Sequence, residues 1–392
     1  MANILTIYEQ ESVSQLLTNK KLKRFADRYG LGFKTVMTVK LDPADIEWAD
    51  TIVAIRSMSP HDQYVLKRAR EIGKKCVIFW DDNLFDPNCG LFIPSKRVKA
   101  MNEAVKDADA ILGANRYLID QVASLSEHAV PVVADTILDA KEFDEHAKDG
   151  NAKVRLVFAG GKTHEESFHA ILKDAFVELK KRVGDSFSLT FVGAAPEING
   201  REELDVTYVG SMPLENFRAF LAEGRFDLGL SPLPDNSFTN SKYYNKYTEY
   251  ALAGIVGIYS NCAPYTCVVK HGQNGFLCAN TTDEWVNQLE VLIRDRSLIR
   301  ESERCVAENV RTQFSEEGVL FSLAKQFPSF LGKQGNGKKI GRFAFMLAKL
   351  RYWVFKTIYL PVVYVKHEGL KALVQRLKNY FSDVSTIKKS DA

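Results

Sequence analysis

The stretch Asp227-Leu228-Gly229-Leu230-Ser231-Pro232-Leu233-Pro234-Asp235-Asn236-Ser237-Phe238-Thr239-Asn240-Ser241-Lys242-Tyr243-Tyr244-Asn245-Lys246-Tyr247-Thr248-Glu249-Tyr250-Ala251-Leu252-Ala253-Gly254 decides how the chain is read. Asp227 to Pro232 is a short apolar run and reads as a buried strand. A loop over Leu233–Asn240 leads to a short helix that carries Lys242, Lys246 and Glu249 and stops at Ala253-Gly254. A second strand, Ile255–Ser260, and the turn His271-Gly272-Gln273-Asn274-Gly275 complete the unit. Spacings of four and three predict one helical face for Lys242, Lys246 and Glu249. Two ammoniums and a carboxylate at a strand–loop–helix junction suit a ligand with a diphosphate and a ribose. The ammoniums would neutralise phosphate charge, and the carboxylate would accept hydrogen bonds from paired sugar hydroxyls. Standing alone, such a face is more often solvated surface.

It does not stand alone. Asp227 to Leu233, Lys242, Lys246-Tyr247-Thr248-Glu249-Tyr250-Ala251, Ala253-Gly254 and His271 to Phe276 follow one another in an order and spacing that resembles the donor-binding half of GT-B glycosyltransferases of the group 1 (GT4-like) kind. The resemblance covers roughly residues 150–315. It implies an α/β GT-B fold: two Rossmann-like doubly wound domains facing a cleft, with a C-terminal helical extension. It also implies a nucleotide-diphosphate sugar as donor and hexosyl transfer without cofactor or metal, insensitive to EDTA. Lys242, Lys246 and Glu249 then take the catalytic roles, the lysines stabilising the departing diphosphate and Glu249 holding the ribose. Donor contacts fall to Gly160, Gly161, Lys162, Asn240, Ser241 and Tyr250. One position departs from the family pattern of two glutamates separated by seven residues. The second is Glu249 and the first is Ser241, so donor identity and retention of anomeric configuration stay open, and no general base stands out.

Upstream, Val154–Ala159 reads as a strand, His164–Arg182 as a helix, and Ser188–Val192 and Val206–Val209 as further strands. Between the first strand and helix lies Gly160-Gly161-Lys162, where glycines let the backbone approach a phosphate and a helix N-terminus offers free N–H groups. This is neither a Walker loop nor a GxGxxG fingerprint, and Gly-Gly is also an ordinary tight turn. The polar stretch Asp139–Lys153 reads as a linker. Before it, apolar runs at Ile4–Tyr8, Thr35–Val39, Thr51–Ile55, Cys76–Trp80, Ala110–Ala114 and Val130–Ala134 alternate with helical patterns, predicting a parallel doubly wound sheet. Ligands of such sheets bind beyond the carboxyl ends of the strands. That singles out Arg56, His61, Asp81 and Asp82 as acceptor-side candidates, against a plain turn for Asp81 and Asp82 and an exposed loop beside Pro60 for His61. The expected domains are 1–140, a linker 141–152, 153–314, a returning helix 315–332 and a basic tail 333–392.

With 392 residues, 46% hydrophobic and 26% charged, the chain is long enough for two cores and has an ordinary globular composition. Its net charge of +3 conceals an asymmetry. Residues 331–392 hold 13 Lys/Arg against 3 Asp/Glu, a balance of +10, leaving −7 for the rest. Bulky aromatics interleave with those cations, and the apolar run Thr357–Val365 is far short of the roughly 20 residues that span a bilayer. Residues 340–382 therefore read as an amphipathic segment on an anionic membrane surface, with a packed terminal helix pair as the plainer alternative. No nucleic-acid recognition module accompanies the charge. The six cysteines form no CxxC pair, and the N-terminus enters a strand directly. These features predict reduced thiols and a cytoplasmic enzyme, peripheral on the inner face of the plasma membrane. With the resemblance they point to a polyprenyl-linked or glycan acceptor in surface-polysaccharide synthesis. A non-catalytic nucleotide-sugar or glycan binding protein, favoured by Ser241, and a GT-B-fold sugar-nucleotide epimerase are the rivals.

Overall fold

The computed structural model describes residues 1–84, 86, 89, 92–139, 153–161, 164–334, 339–371 and 374. Lys162, the expected linker 141–152 and the end of the basic tail lie outside the described residues. Two compact units form, one from Met1–Ala134 with Leu320–Ala392 and one from Asp135–Val319.

The first unit holds six parallel strands: β1 (Asn3–Tyr8), β2 (Gly32–Met37), β3 (Thr51–Ile55), β4 (Lys75–Phe79), β5 (Ala110–Gly113) and β6 (Val130–Val133), in the order β2-β1-β3-β4-β5-β6. Strands buried on both faces account for the unbroken apolar runs; β3 is buried at all five positions. β2 begins three residues before the run that predicted it, because Gly32 pairs with Asn3 and extends the ladder. The helix Pro60–Glu71 opens with a reciprocal cap: Ser59 accepts from the Asp62 N–H and Asp62 accepts from the Ser59 N–H. Strand order reverses between β1 and β3, and this switch point is where doubly wound sheets bind ligands.

The chain comes back to this unit after Leu320. Gln326 both donates to the Val133 carbonyl and accepts from the Val133 N–H, closing the exposed backbone of edge strand β6. The helix Arg342–Val354 then lies on Pro60–Glu71, and Ile340 and Phe345 join the core of the sheet. Over residues 339–371 the basic segment is thus packed and helical. Its helical run continues through Phe355–Tyr359 and Leu360–Glu368.

The second unit has the parallel strands β7 (Val154–Gly160), β8 (Phe187–Gly193), β9 (Val206–Val209), β10 (Leu228–Ser231), β11 (Val256–Ser260) and β12 (Phe276–Cys278). Their order, β12-β11-β10-β7-β8-β9, is the Rossmann order, with its switch point between β7 and β10. The helix expected over His164–Arg182 is two helices, Glu165–Leu172 and Ala175–Val183. Phe158, Phe168, Phe176 and Phe191 pack as an aromatic cluster under them.

Candidate functional site

The second unit's switch point gathers the residues on which the sequence reading turns. Gly160 ends β7 and Gly161 follows it. A Cβ on Gly160 would stand 2.9 Å from His164 Cβ, so only glycine allows the chain to turn this tightly into the helix Glu165–Leu172. Opposite, the stretch after β10 folds into two helices, Ser237–Asn240 and Asn245–Leu252. Lys242 lies between them, which corrects the expectation of a single helix bearing Lys242, Lys246 and Glu249. Tyr243 and Tyr244 are tied down where the helices part, Tyr243 Oη accepting from the Thr136 N–H and Tyr244 Oη donating to Asp135.

Lys246 and Glu249 do share a face: Lys246 Nζ donates to Glu249 Oε2 at 2.6 Å, both side chains largely shielded. Lys246 also lies over the Phe217 ring and Lys242 over the Phe238 ring, at 5.3 and 5.0 Å. His164 reports on both ammoniums. Burial lowers its pKa, and the charges of Lys246 and Lys242 lower it further. Lys246, Glu249 and Lys242 thus belong to the connection after β10, and the Gly160-Gly161 turn and the N-terminus of Glu165–Leu172 to the connection after β7, an arrangement suited to a diphosphate.

Three expected donor contacts are placed otherwise. Ser241 is 1% exposed and its hydroxyl donates to the Ser237 carbonyl at 2.7 Å, so it caps its own turn. Tyr250 is fully buried, its ring filling the space over Gly229 and its hydroxyl donating to the Leu230 carbonyl; it fixes the Lys246 helix to β10. Asn240 donates to Asp235 across the loop. The His271–Gly275 turn is an anchor as well. Asn274 accepts from the Lys270 N–H and donates to Tyr247 Oη, which pins the same helix from the other side. The sequence reading missed this support set, because nothing in residue type separates a positioning amide from a binding one.

In the first unit, Arg56 follows β3 with φ of 50°, a left-handed conformation uncommon for a non-glycine residue. Its guanidinium donates to Asp81 at 2.5 Å and to Asp82 at 2.6 Å. These three candidates thus come together at the carboxyl end of the sheet. His61 does not join them, and its acceptor-side assignment is corrected. It lies in the first turn of Pro60–Glu71, 2% exposed, with its ring packed against Tyr64, Phe345 and Tyr352 and neither nitrogen hydrogen-bonded.

Burial, with Lys349 nearby, pushes the His61 pKa down to about 4. Between that value and about 6.5 the unfolded chain binds a proton that the folded ring refuses. Stability from His61 is therefore complete above pH 6.5 and falls as pH drops, by about 2 kcal/mol at pH 5. Asp62 has the opposite sign: burial and then Glu9 raise its pKa, so its contribution is lost as pH rises. Urea melts of the wild type and His61→Phe should separate the two. The variant is expected to gain about 2 kcal/mol on the wild type between pH 7 and 5; a pH-independent difference would reject the assignment.

Residues 153–295 match the family model for glycosyl transferases group 1. No curated protein matches the chain by sequence. Among solved structures, HepE of Anabaena in complex with UDP and glucose is 13% identical, with a TM-score of 0.54 over 84% of this chain and 100% of HepE. A glycosyltransferase from Rickettsia africae is 11% identical with a TM-score of 0.59, over 84% and 99%. The lipopolysaccharide outer core galactosyltransferase WaaB, in its apo form, is 12% identical with a TM-score of 0.56, over 83% and 99%. Two Rossmann-like sheets and a helical C-terminal segment make this the GT-B fold.

Proposed function

We propose, with the second unit taken as a group 1 glycosyl transferase region, that the protein moves a sugar from a nucleotide-diphosphate sugar to a glycan or lipid-linked acceptor. One observation carries the reading: the Lys246–Glu249 pair lies on the helix after β10 and the Gly160-Gly161 turn closes β7, the two strands that flank the switch point of the second sheet. In transfer, the bond from the anomeric carbon to the diphosphate oxygen breaks and one to an acceptor oxygen forms. Negative charge grows on the leaving diphosphate, where Lys242, Lys246 and the helix N-terminus can stabilise it without a metal ion. Glu249, which accepts from Lys246 in the structure, would turn to the ribose hydroxyls. HepE, a structural neighbour, holds UDP and glucose, in keeping with this donor class.

The test is a thermal-shift screen against nucleotide-diphosphate sugars. A ligand held only by the native state stabilises it by RT ln(1 + [L]/Kd), so one donor at 100 times Kd should contribute about 2.7 kcal/mol. That shift should vanish in Glu249→Ala. Absence of any shift across the panel would remove the reading.

The acceptor side of the proposal is a lipid carrier at an anionic leaflet, with the enzyme serving surface-polysaccharide synthesis. Its support is the outer face of the C-terminal helical run. Phe343, Met346, Leu350, Trp353, Ile358 and Val362 are exposed at helical spacing, Phe343 by 71% and Trp353 by 59%. The stripe from Phe343 to Val365 is about 33 Å long at 1.5 Å per residue. Arg342, Arg351 and Lys366 are also exposed along it, and no helix among the described residues is long and apolar enough to cross a membrane. Phe345 belongs to the core, so cutting the tail away would damage the unit. Exposed positions make the cleaner probe. Wild type should float with phosphatidylglycerol-containing vesicles, and Phe343→Ser, Leu350→Ser, Trp353→Ser together should stay in solution. Equal flotation of both would sink the membrane reading, and a dimer lost in the triple variant would give the face to a second copy.

A further inference from the structure

We propose that Asp135 is a positioning residue for the lysines of the second unit: through the Tyr244 hydroxyl it fixes where the helix Asn245–Leu252 begins, and so where Lys246 and Lys242 stand. The role in donor binding rests on the transfer proposed above; the placement of the lysines does not.

The helix lacks the local signals that would fix its own start. Its N-cap is Tyr244, at φ −78° and ψ 52°, and no side chain caps the first turn. Ser, Thr, Asp or Asn would supply that cap, and tyrosine does not. Eight residues are also too few to hold a helix without tertiary packing. Three buried phenols spaced by three residues, Tyr244, Tyr247 and Tyr250, supply the packing. Each hydroxyl binds a distant part of the chain. Tyr250 Oη donates to the Leu230 carbonyl at 3.0 Å, and Tyr247 Oη accepts from Asn309 at 2.9 Å and from Asn274 at 3.1 Å. Tyr244 Oη donates to Asp135. Of the three, the Asp135 bond lies at the helix start: Lys246 is the second helical residue, and Lys242 precedes Tyr244 by two.

The tether is built to last. Burial raises the Tyr244 pKa, and Tyr243 and Asp135 raise it further, so the phenol stays protonated and donates. A carboxylate acceptor makes this the stronger, charge-assisted kind of hydrogen bond. Asp135 opens the second unit, and the residues after it are held in turn. The Thr136 N–H donates to Tyr243 Oη, and the Leu138 N–H donates to the Phe314 carbonyl at 2.8 Å. The Phe314 ring meets Tyr244 edge-on at 6.3 Å. Tyr244 is thus the point on which the start of the unit and a stretch near its end converge.

NMR titration of the His164 ring in the full chain tests the placement without a donor. Lys246 and Lys242 depress that ring's pKa beyond the effect of burial, and Glu249 opposes them. In Asp135→Ala and in Tyr244→Phe, which keeps the ring packing, His164 should titrate at higher pH than in the wild type. Losing the Asp135 charge alone would move it the other way, so a rise reports displaced ammoniums. Asp135→Asn, which keeps an oxygen acceptor, should restore the wild-type titration. In a Lys246→Ala background the Asp135→Ala shift should shrink. A His164 titration unmoved in both folded variants overturns the proposal and leaves the tether a brace of the fold. An equal shift in the Lys246→Ala background overturns it too, since His164 would merely have become wetter. With the nucleotide sugar chosen by the thermal screen, Kd should rise about tenfold in Asp135→Ala, the equivalent of one lost hydrogen bond. A moved His164 with no nucleotide sugar bound by the wild type would keep the tether and remove the donor reading. A donor bound equally by wild type and variant, with His164 unmoved, would do the reverse.

Discussion

Arg97→Ala is expected to destabilise the first unit by about 3–5 kcal/mol, the usual cost of removing one member of a buried ion pair. Arg97 and Glu9 are 11% and 9% exposed at their side chains and bind through two parallel hydrogen bonds. Burial alone would push the Glu9 pKa up. The Arg97 charge and hydrogen bonds, aided by Lys356 and Tyr352, outweigh this and hold it below the usual carboxylate range. Without Arg97 that buried carboxylate keeps the Tyr352 hydroxyl as a hydrogen-bond donor and loses the charge that offset its burial. Either it stays charged at high cost or it takes up a proton, and stability falls in both cases. The double variant Glu9→Leu, Arg97→Met should recover most of the loss, because a pair replaced whole leaves no unpaired charge. The check is a denaturant-melt cycle over the four chains; single and double variants of equal stability would show that the pair is not coupled.

Lys246→Ala should lower kcat by about 10²- to 10³-fold, the usual cost of losing one donor aimed at developing negative charge. The measurement is initial-rate kinetics with whichever nucleotide sugar the thermal screen selects. KM should move less than kcat, since the charge that Lys246 meets grows only as the diphosphate departs. A second readout guards against a merely structural loss. Lys246 is one of the two ammoniums that depress the His164 pKa, so the His164 ring should titrate at higher pH in the variant. An unchanged kcat together with a shifted His164 would separate location from chemistry and take Lys246 out of the mechanism.

Periodicity made both sheets legible, since strands buried on two faces leave continuous apolar runs. Lys246 and Glu249 were legible too, because a spacing of three within one helix fixes their proximity. Lys242 was not. Helical spacing carries across Tyr243 and Tyr244 on paper, whereas the helices part there, where their hydroxyls bind Thr136 and Asp135 more than a hundred residues away. Ser241 and Tyr250 were drawn into the site by motif position, and burial places them behind it. His61 had a local signal that residue type obscured. Ser59 and Asp62 form a capping pair, which sets His61 inside a helix and not on a loop. Glu9 and Arg97 lie 88 residues apart, and no spacing rule joins them. Sequence pattern reports local geometry well; the partners that decide whether a polar residue binds or braces come from elsewhere in the chain.

The return of the chain to its first unit has a consequence for the order in which the molecule is made. Residues 135–319 are contiguous and can close their core as soon as they leave the ribosome. The earlier-made β1–β6 sheet must wait for Ile340 and Phe345, which cover the face that His61 and Tyr64 present. At roughly 5–20 residues per second, the some 210 residues between Ala134 and Phe345 take about 10–40 s to synthesise. Through that interval the older half of the protein carries an uncovered apolar surface while the younger half completes itself. Chaperone demand should therefore concentrate on the N-terminal half.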